Sequence, residues 1–220
     1  MRRPTAFPRQ LLALMVMGAL TGAACTSGSD DGADGARDAP AVTSSTLART
    51  VTGAVDLRRL VVSQALAGYE ELASPPFGAV DLTRLLAEFS DAPTEDRIIL
   101  EAARYKTGYT RGWLRESPRS FLGVFVFEFA DEEGARSARS LFAAQNASKR
   151  NASRFAVGGI DDAAGESYTQ QVEGQPSERV HLVTFVRGPR LYQVGSQFAD
   201  EQTTPDETVT FARLEAAVAG

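Results

Sequence analysis

The chain has 220 residues, with 23 Lys and Arg against 28 Asp and Glu and a formal net charge of −5. An acidic chain is a poor partner for nucleic acid or anionic lipid surfaces, which need an excess of cationic side chains. The single cysteine, Cys25, excludes an internal disulfide, a thiolate metal cluster and a CxxC redox pair, and the single histidine, His181, excludes a multi-histidine metal site.

Arg2, Arg3 and Arg9 form a positive leader, and Leu11 to Leu20 is an apolar run about half as long as a membrane-spanning helix requires. Small residues follow, Thr21, Gly22, Ala23 and Ala24, and lead directly into Cys25. This arrangement resembles the lipobox of bacterial lipoprotein precursors, with Gly22 standing where an aliphatic residue is usual. The resemblance implies that residues 1–24 are removed as an export signal and that Cys25 takes a diacylglycerol. Two acyl chains hold a protein on a bilayer far more firmly than one. Residues 25–50 carry Asp30, Asp31, Asp34 and Asp38 among Gly, Ala, Ser and Thr with no apolar period, which predicts a lipid anchor followed by a flexible acidic tether.

Residues 51–220 then read as one α+β domain, with about 170 residues available to bury a core. Val80 to Phe89 places Leu82, Leu85, Leu86 and Phe89 on one helical face, and Thr94 to Tyr105 does the same with Ile98, Ile99 and Ala102 behind Pro93. The period then changes to two. Gly108 to Glu116 and Phe121 to Ala130 predict strands around the turn at Ser117 and Pro118. In the second strand Phe121, Phe125, Phe127 and Phe129 point one way and Leu122, Val124 and Val126 the other, as expected of a strand in the middle of a sheet.

Asp131 is placed to cap a helix that turns Ala135, Ala138, Leu141 and Phe142 inward. Further strands are expected at Arg154 to Ile160, Glu166 to Val172, Arg179 to Arg187 and Leu191 to Phe198. The run Thr204, Pro205, Asp206, Glu207 predicts an N-cap, a proline at the first helical position and a capping box, ahead of a helix presenting Val209, Phe211, Leu214 and Val218. A strand-strand-helix unit thus occurs twice, which suits an antiparallel sheet with helices packed on it.

Several local runs point to a family. They are Ala65 to Tyr69, Gly108 to Trp113, Phe127 to Phe129 leading to Asp131, Val157 to Ile160, and Val186 to Gly188. Together they resemble a group of actinobacterial lipoproteins with a PsbP-like α+β domain. The resemblance implies an envelope protein that binds a partner or a lipophilic molecule, and carries no catalytic residues with it.

Tyr109, Arg111, Trp113 and Arg115 alternate on one strand face, a row able to stack on and hydrogen-bond a sugar or a polar headgroup. These are the expected ligand-binding residues. His181, beside Val183 and Phe185, reads as a strand residue rather than a base. Gly158 and Gly159 lack the spacing of a dinucleotide or phosphate loop, so no cofactor and no metal is expected. The expected function is therefore a lipid-anchored extracytoplasmic module that binds a lipophilic or glycan ligand or an envelope protein. The alternative is a cell-envelope hydrolase using carboxylates among Glu128, Asp161, Asp162 and Glu166, which needs two of them at a suitable separation.

Overall fold

In the computed structural model, residues 57–73, 77–171, 176–199 and 203–220 are described. The expected export signal, Cys25 and the acidic tether lie outside them. The elements run β1 (Glu70–Glu71), β2 (Gly78–Val80), α1 (Leu82–Phe89), α2 (Pro93–Ala102), β3 (Thr107–Glu116), β4 (Arg119–Glu128), α3 (Glu132–Ala147), β5 (Arg150–Phe155), β6 (Ala164–Gln170), β7 (Glu178–Arg187), β8 (Arg190–Phe198) and α4 (Asp206–Ala219). All strands join one antiparallel 8-stranded sheet of order β1-β3-β4-β8-β7-β6-β5, with β2 also pairing to β3. This is the expected α+β class.

Strand β4 lies between β3 and β8, and its two apolar faces feed two cores. Leu122, Val124 and Val126 join Trp113, Val183, Phe185, Tyr192 and Val194 beneath α4 and the segment at Leu57, Val61 and Val62. Phe125, Phe127 and Phe129 join Val186 and Leu191 beneath α1, α2 and α3. Covering a sheet on both sides permits such a continuous apolar run in its central strands. The two strand-strand-helix units place α3 and α4 on opposite faces. Among the described residues no helix is long and apolar enough to cross a membrane.

Gly112, Gly123 and Gly195 stand side by side across β3, β4 and β8. A Cβ at Gly112 would sit 2.3 Å from the Phe77 ring, and one at Gly123 would sit 2.8 Å from that of Phe121. The glycine row is the trough in which these stacked rings, 6.1 Å apart, lie close against the sheet.

Local capping explains α1 and α3. Asp81 accepts from Arg84 N–H at 2.8 Å, and Asp131 accepts from Gly134 N–H at 2.9 Å, each satisfying an orphan helical donor. The start of α4 differs from expectation. Pro205 stands at the N-cap without a side-chain capping bond, and Thr204 Oγ1 donates to Asp206 at 2.8 Å. Glu207 forms no capping box because Arg115 and Tyr69 take its carboxylate.

Three further expectations shift. The strand expected at 154–160 is found at Arg150–Phe155, since Gly159 and Asp162 adopt positive φ and turn the following chain away. Helix α2 buries Asp96 and Leu100 and leaves Ile98 68% exposed. Helix α4 buries Thr208, Phe211, Ala212 and Glu215, while Leu214 and Val218 face outward. Tertiary partners override the local apolar stripe in both helices. Asp96 receives the Ser90 hydroxyl and Gln145 Nε2, and Glu215 receives the Val62 amide.

Candidate functional site

Strand β3 aims Tyr109, Arg111, Trp113 and Arg115 at the sheet face covered by α4 and by residues 57–73, and each has a distinct setting there. Tyr109 is half-buried against the core. Trp113 is 2% exposed, edge-on to Phe211 of α4 with ring centroids 5.3 Å apart. The Arg111 guanidinium lies 5.7 Å from the Trp113 ring, donates to both Glu71 carboxylate oxygens at 2.6 and 3.1 Å, and donates to the Val62 carbonyl at 3.0 Å.

Arg115 stands at the open end of the row. Its guanidinium stacks over Tyr69 at 4.6 Å and forms a fork on Glu207 at 2.6 and 3.1 Å. That fork raises the Arg115 pKa. The Tyr69 hydroxyl donates to Glu207 at 3.0 Å and bonds Ser120 Oγ at 2.8 Å, and burial is the main cause pushing it up to about 12. A neutral phenol, a planar cation and a carboxylate are thus locked together.

Arg115 and Glu207 of this cluster line one wall of a half-open cleft of about 480 Å³. The hairpin turn supplies Pro118 and Arg119, the end of β8 supplies Phe198 and Ala199, and the entry to α4 supplies Thr203, Thr204, Asp206 and Glu207. The volume is in the range of small-molecule sites, and the lining combines apolar carbon with hydroxyl, carboxylate and guanidinium groups. Of the expected row, the cleft includes Arg115; Arg111 and Trp113 lie deeper under residues 57–73.

Next to the cleft lies a buried polar pair, His181 and Ser167, in which His181 is the strand residue expected and Ser167 is the partner that the sequence did not reveal. His181 Nδ1 bonds Ser167 Oγ at 2.6 Å, and His181 Nε2 bonds the Thr203 carbonyl at 3.1 Å. The carbonyl can only accept, so Nε2 carries the proton and Nδ1 accepts from Ser167. Burial, with help from Arg179, lowers the His181 pKa below its usual value. Phe155 and Phe198 flank the ring at 6.1 and 5.9 Å. With His181 and Ser167 only 2% and 4% exposed, the pair anchors the chain entering α4 and presents no open nucleophile. Its signal in sequence was confined to a histidine in an apolar strand.

Three of the four carboxylates of the hydrolase alternative have separate partners, and the fourth is exposed. Glu128 accepts from Arg190 at 3.2 Å, and Glu166 accepts from Asn146 Nδ2 at 2.8 Å beneath α3. Asp162 is held by Arg136 at 2.6 Å and Arg139 at 3.0 Å, with those guanidiniums drawing its pKa down. Asp161 is exposed on the same loop. None of the four lines the cleft.

No family model matches the chain, and no curated protein matches it. Among solved structures, it is similar to the extracellular domain of PknH from Mycobacterium tuberculosis at 12% identity and a TM-score of 0.43, over 80% of this chain and 91% of that one.

A buried titratable group that sequence reasoning missed is Glu215, which is 0% exposed. Its Oε2 accepts from Val62 N–H at 2.9 Å, and among the described residues its Oε1 has no hydrogen-bond partner. Burial pushes its pKa up to about 7, against the opposing pull of the Val62 amide and Arg111. On the helical wheel it falls beside Phe211 and Ala212, a position that only docking on the sheet reveals.

Proposed function

We propose that this chain is an extracytoplasmic lipoprotein, anchored through diacylglycerol on Cys25, whose α+β domain is a non-catalytic binding module with its ligand seated at the Arg115 end of β3. The observation that carries the reading is the half-open cleft lined by the Arg115–Glu207 fork, which Tyr69 braces from behind. Hydroxyl, carboxylate and guanidinium groups around an apolar floor suit a sugar-like ligand better than an acyl chain, which asks for a closed apolar cavity. The partnering of Glu128, Asp162 and Glu166 within the fold supports binding over hydrolysis. The lipobox-like run and the resemblance to actinobacterial lipoproteins with a PsbP-like domain support the envelope location.

Isotope-labelled protein titrated with a panel of envelope glycan fragments, and separately with lipid micelles, tests the site. Glycan-induced amide shifts are expected at Ala199, Thr203, Thr204 and Arg119, and they should vanish in Ala199→Trp, which fills the cleft and leaves the Arg115–Glu207 fork intact. Shifts elsewhere, or shifts with lipid alone, overturn the glycan reading. Cys25→Ser should release the protein from the membrane fraction and remove the mass of the lipid. A membrane-bound Cys25→Ser chain overturns the anchor.

A further inference from the structure

The backbone of Val62 is gripped from both sides, by a carboxyl on its N–H and a guanidinium on its carbonyl. Glu215 of α4 accepts its N–H at 2.9 Å, and Arg111 of β3 donates to its carbonyl at 3.0 Å. Both gripping residues are buried, at 0% and 9% exposure, and the guanidinium is itself aimed by its fork on Glu71. Around this clamp Leu57, Val61 and Val62 are 1%, 4% and 6% exposed against a core that includes Trp113 and Phe211. Among the described residues the segment begins helically at Leu57 and Arg58, makes one turn closed by Leu60 N–H on the Leu57 carbonyl at 3.0 Å, and pairs with no strand. Side-chain bonds therefore hold its backbone at Val62, where strand pairing holds the backbone of the sheet.

We propose that the groove between β3 and α4 is a peptide-binding groove whose resident is the chain's own Leu57–Val62, held as a releasable strap by the Arg111–Glu215 clamp. Three features separate a strap from ordinary core. The groove recognises a peptide unit, one donor and one acceptor, as a peptide-binding site does. Three buried apolar side chains and the half-buried Leu60 offset the ordering of a six-residue segment only narrowly, so its local opening is less costly than opening of the central sheet. The carboxyl group at the centre of the groove is poorly served when the strap is closed, because among the described residues Glu215 Oε1 lacks a hydrogen-bond partner and release admits water to it.

The clamp makes the strap pH-dependent. The groups facing Glu215 are Arg111 from β3, whose charge is shared with Glu71 of β1, and Tyr192 from β8. Arg58 and Arg59 on the strap are exposed. Closed, Glu215 holds its proton up to about pH 7; open and hydrated, it releases that proton near 4.5. Opening is therefore coupled to proton loss and becomes easier as pH rises from about 4.5 to 7. The strap is a property of the chain alone, so its test involves no ligand and stands apart from the cleft.

Hydrogen exchange on the full chain, corrected for intrinsic rates, reads the strap at the Val62 amide and the sheet at Val124 and Val194. Val62 is expected to exchange at least about tenfold faster than both at every pH, and its protection should fall on the order of 100-fold from pH 5 to pH 8, levelling off above 7. In Glu215→Gln the Val62 pH dependence should disappear. Equal protection at Val62, Val124 and Val194 means that the segment opens only with the whole domain, which overturns the strap. A fall that persists in Glu215→Gln overturns the role of the clamp. Should that variant fail to fold, the wild-type profile decides: a Val62 protection that does not fall up to pH 7 overturns the clamp.

Discussion

Replacing Glu215 by glutamine should abolish a large part of the pH dependence of global stability. The side chain is fully buried, and its pKa rises from 4.5 to about 7 on folding. The folded chain therefore binds this proton more tightly than the unfolded chain. Below pH 4.5 both states are protonated and the group has no effect. Between 4.5 and 7 the unfolded chain loses the proton first, so stability falls with rising pH, and above 7 the loss is complete. At about 1.4 kcal/mol per pKa unit, the shift corresponds to about 3 kcal/mol, most of it between pH 5 and pH 8.

Glutamine keeps the acceptor for the Val62 amide and cannot titrate. The difference between the two proteins thus isolates Glu215 from other groups, including His181, whose contribution has the opposite sign. Guanidinium unfolding at pH 5, 6, 7 and 8 can be followed by fluorescence of Trp113, the chain's one tryptophan, 2% exposed in the folded state. The wild-type minus variant stability should fall by about 2 to 3 kcal/mol across that range. A difference constant to within about 0.5 kcal/mol, or one that rises with pH, would refute the assignment of Glu215 as a buried, proton-holding carboxyl.

The single histidine offers a direct readout, since NMR titration should place the His181 midpoint below 6.5. Its stabilising contribution is accordingly present above pH 6.5 and lost as pH falls through the folded midpoint; a midpoint at or above 6.5 means that the ring is not sealed between Ser167 and Thr203. Gly134→Ala, a substitution that ordinarily favours a helix, should here destabilise by about 1 to 3 kcal/mol, because the new Cβ would lie 2.3 Å from the Ala103 carbonyl oxygen. A variant as stable as the parent in thermal unfolding would show that α2 and α3 move apart freely. Leu214→Glu should change stability by less than about 0.5 kcal/mol in the same assay, since Leu214 is 45% exposed; a loss of several kcal/mol would put it in the core as its sequence stripe suggests.

Much of the architecture was legible because it rests on short-range rules. The double-faced apolar run of β4 announced a central strand, and Asp131 announced the start of α3, since alternation and capping act over one to four residues. Strand β5 was misplaced because a polar edge strand, exposed over nearly its whole length and irregular between Arg150 and Ser153, has no buried face to impose a period. Gly159 and Asp162, which end that region in left-handed turns, were visible in sequence only as a glycine pair and an acidic pair. The candidate site was legible in part: the alternation of Tyr109, Arg111, Trp113 and Arg115 predicts a shared face of the strand, and they share one, but of the four only Arg115 lines the cleft. Nothing local indicates that Glu71, the Val62 carbonyl and Glu207 come to meet the two arginines from 40, 49 and 92 residues away.

The sequence by itself determined the acidic charge, the lone cysteine and histidine, the class of fold, and most of the strands and helices. It did so because those properties follow from composition or from neighbours along the chain. Only the tertiary structure decided which side of α2 and α4 turns inward, and hence that Asp96 and Glu215 are buried while Ile98 and Leu214 are exposed. A short helix with apolar residues on more than one side has several inward faces of similar local free energy, and hydrogen bonds from Ser90, Gln145 and Val62 select among them. The cleft beside Arg115 and the clamp on Val62 have the same origin, being built from residues that meet only after the sheet has formed.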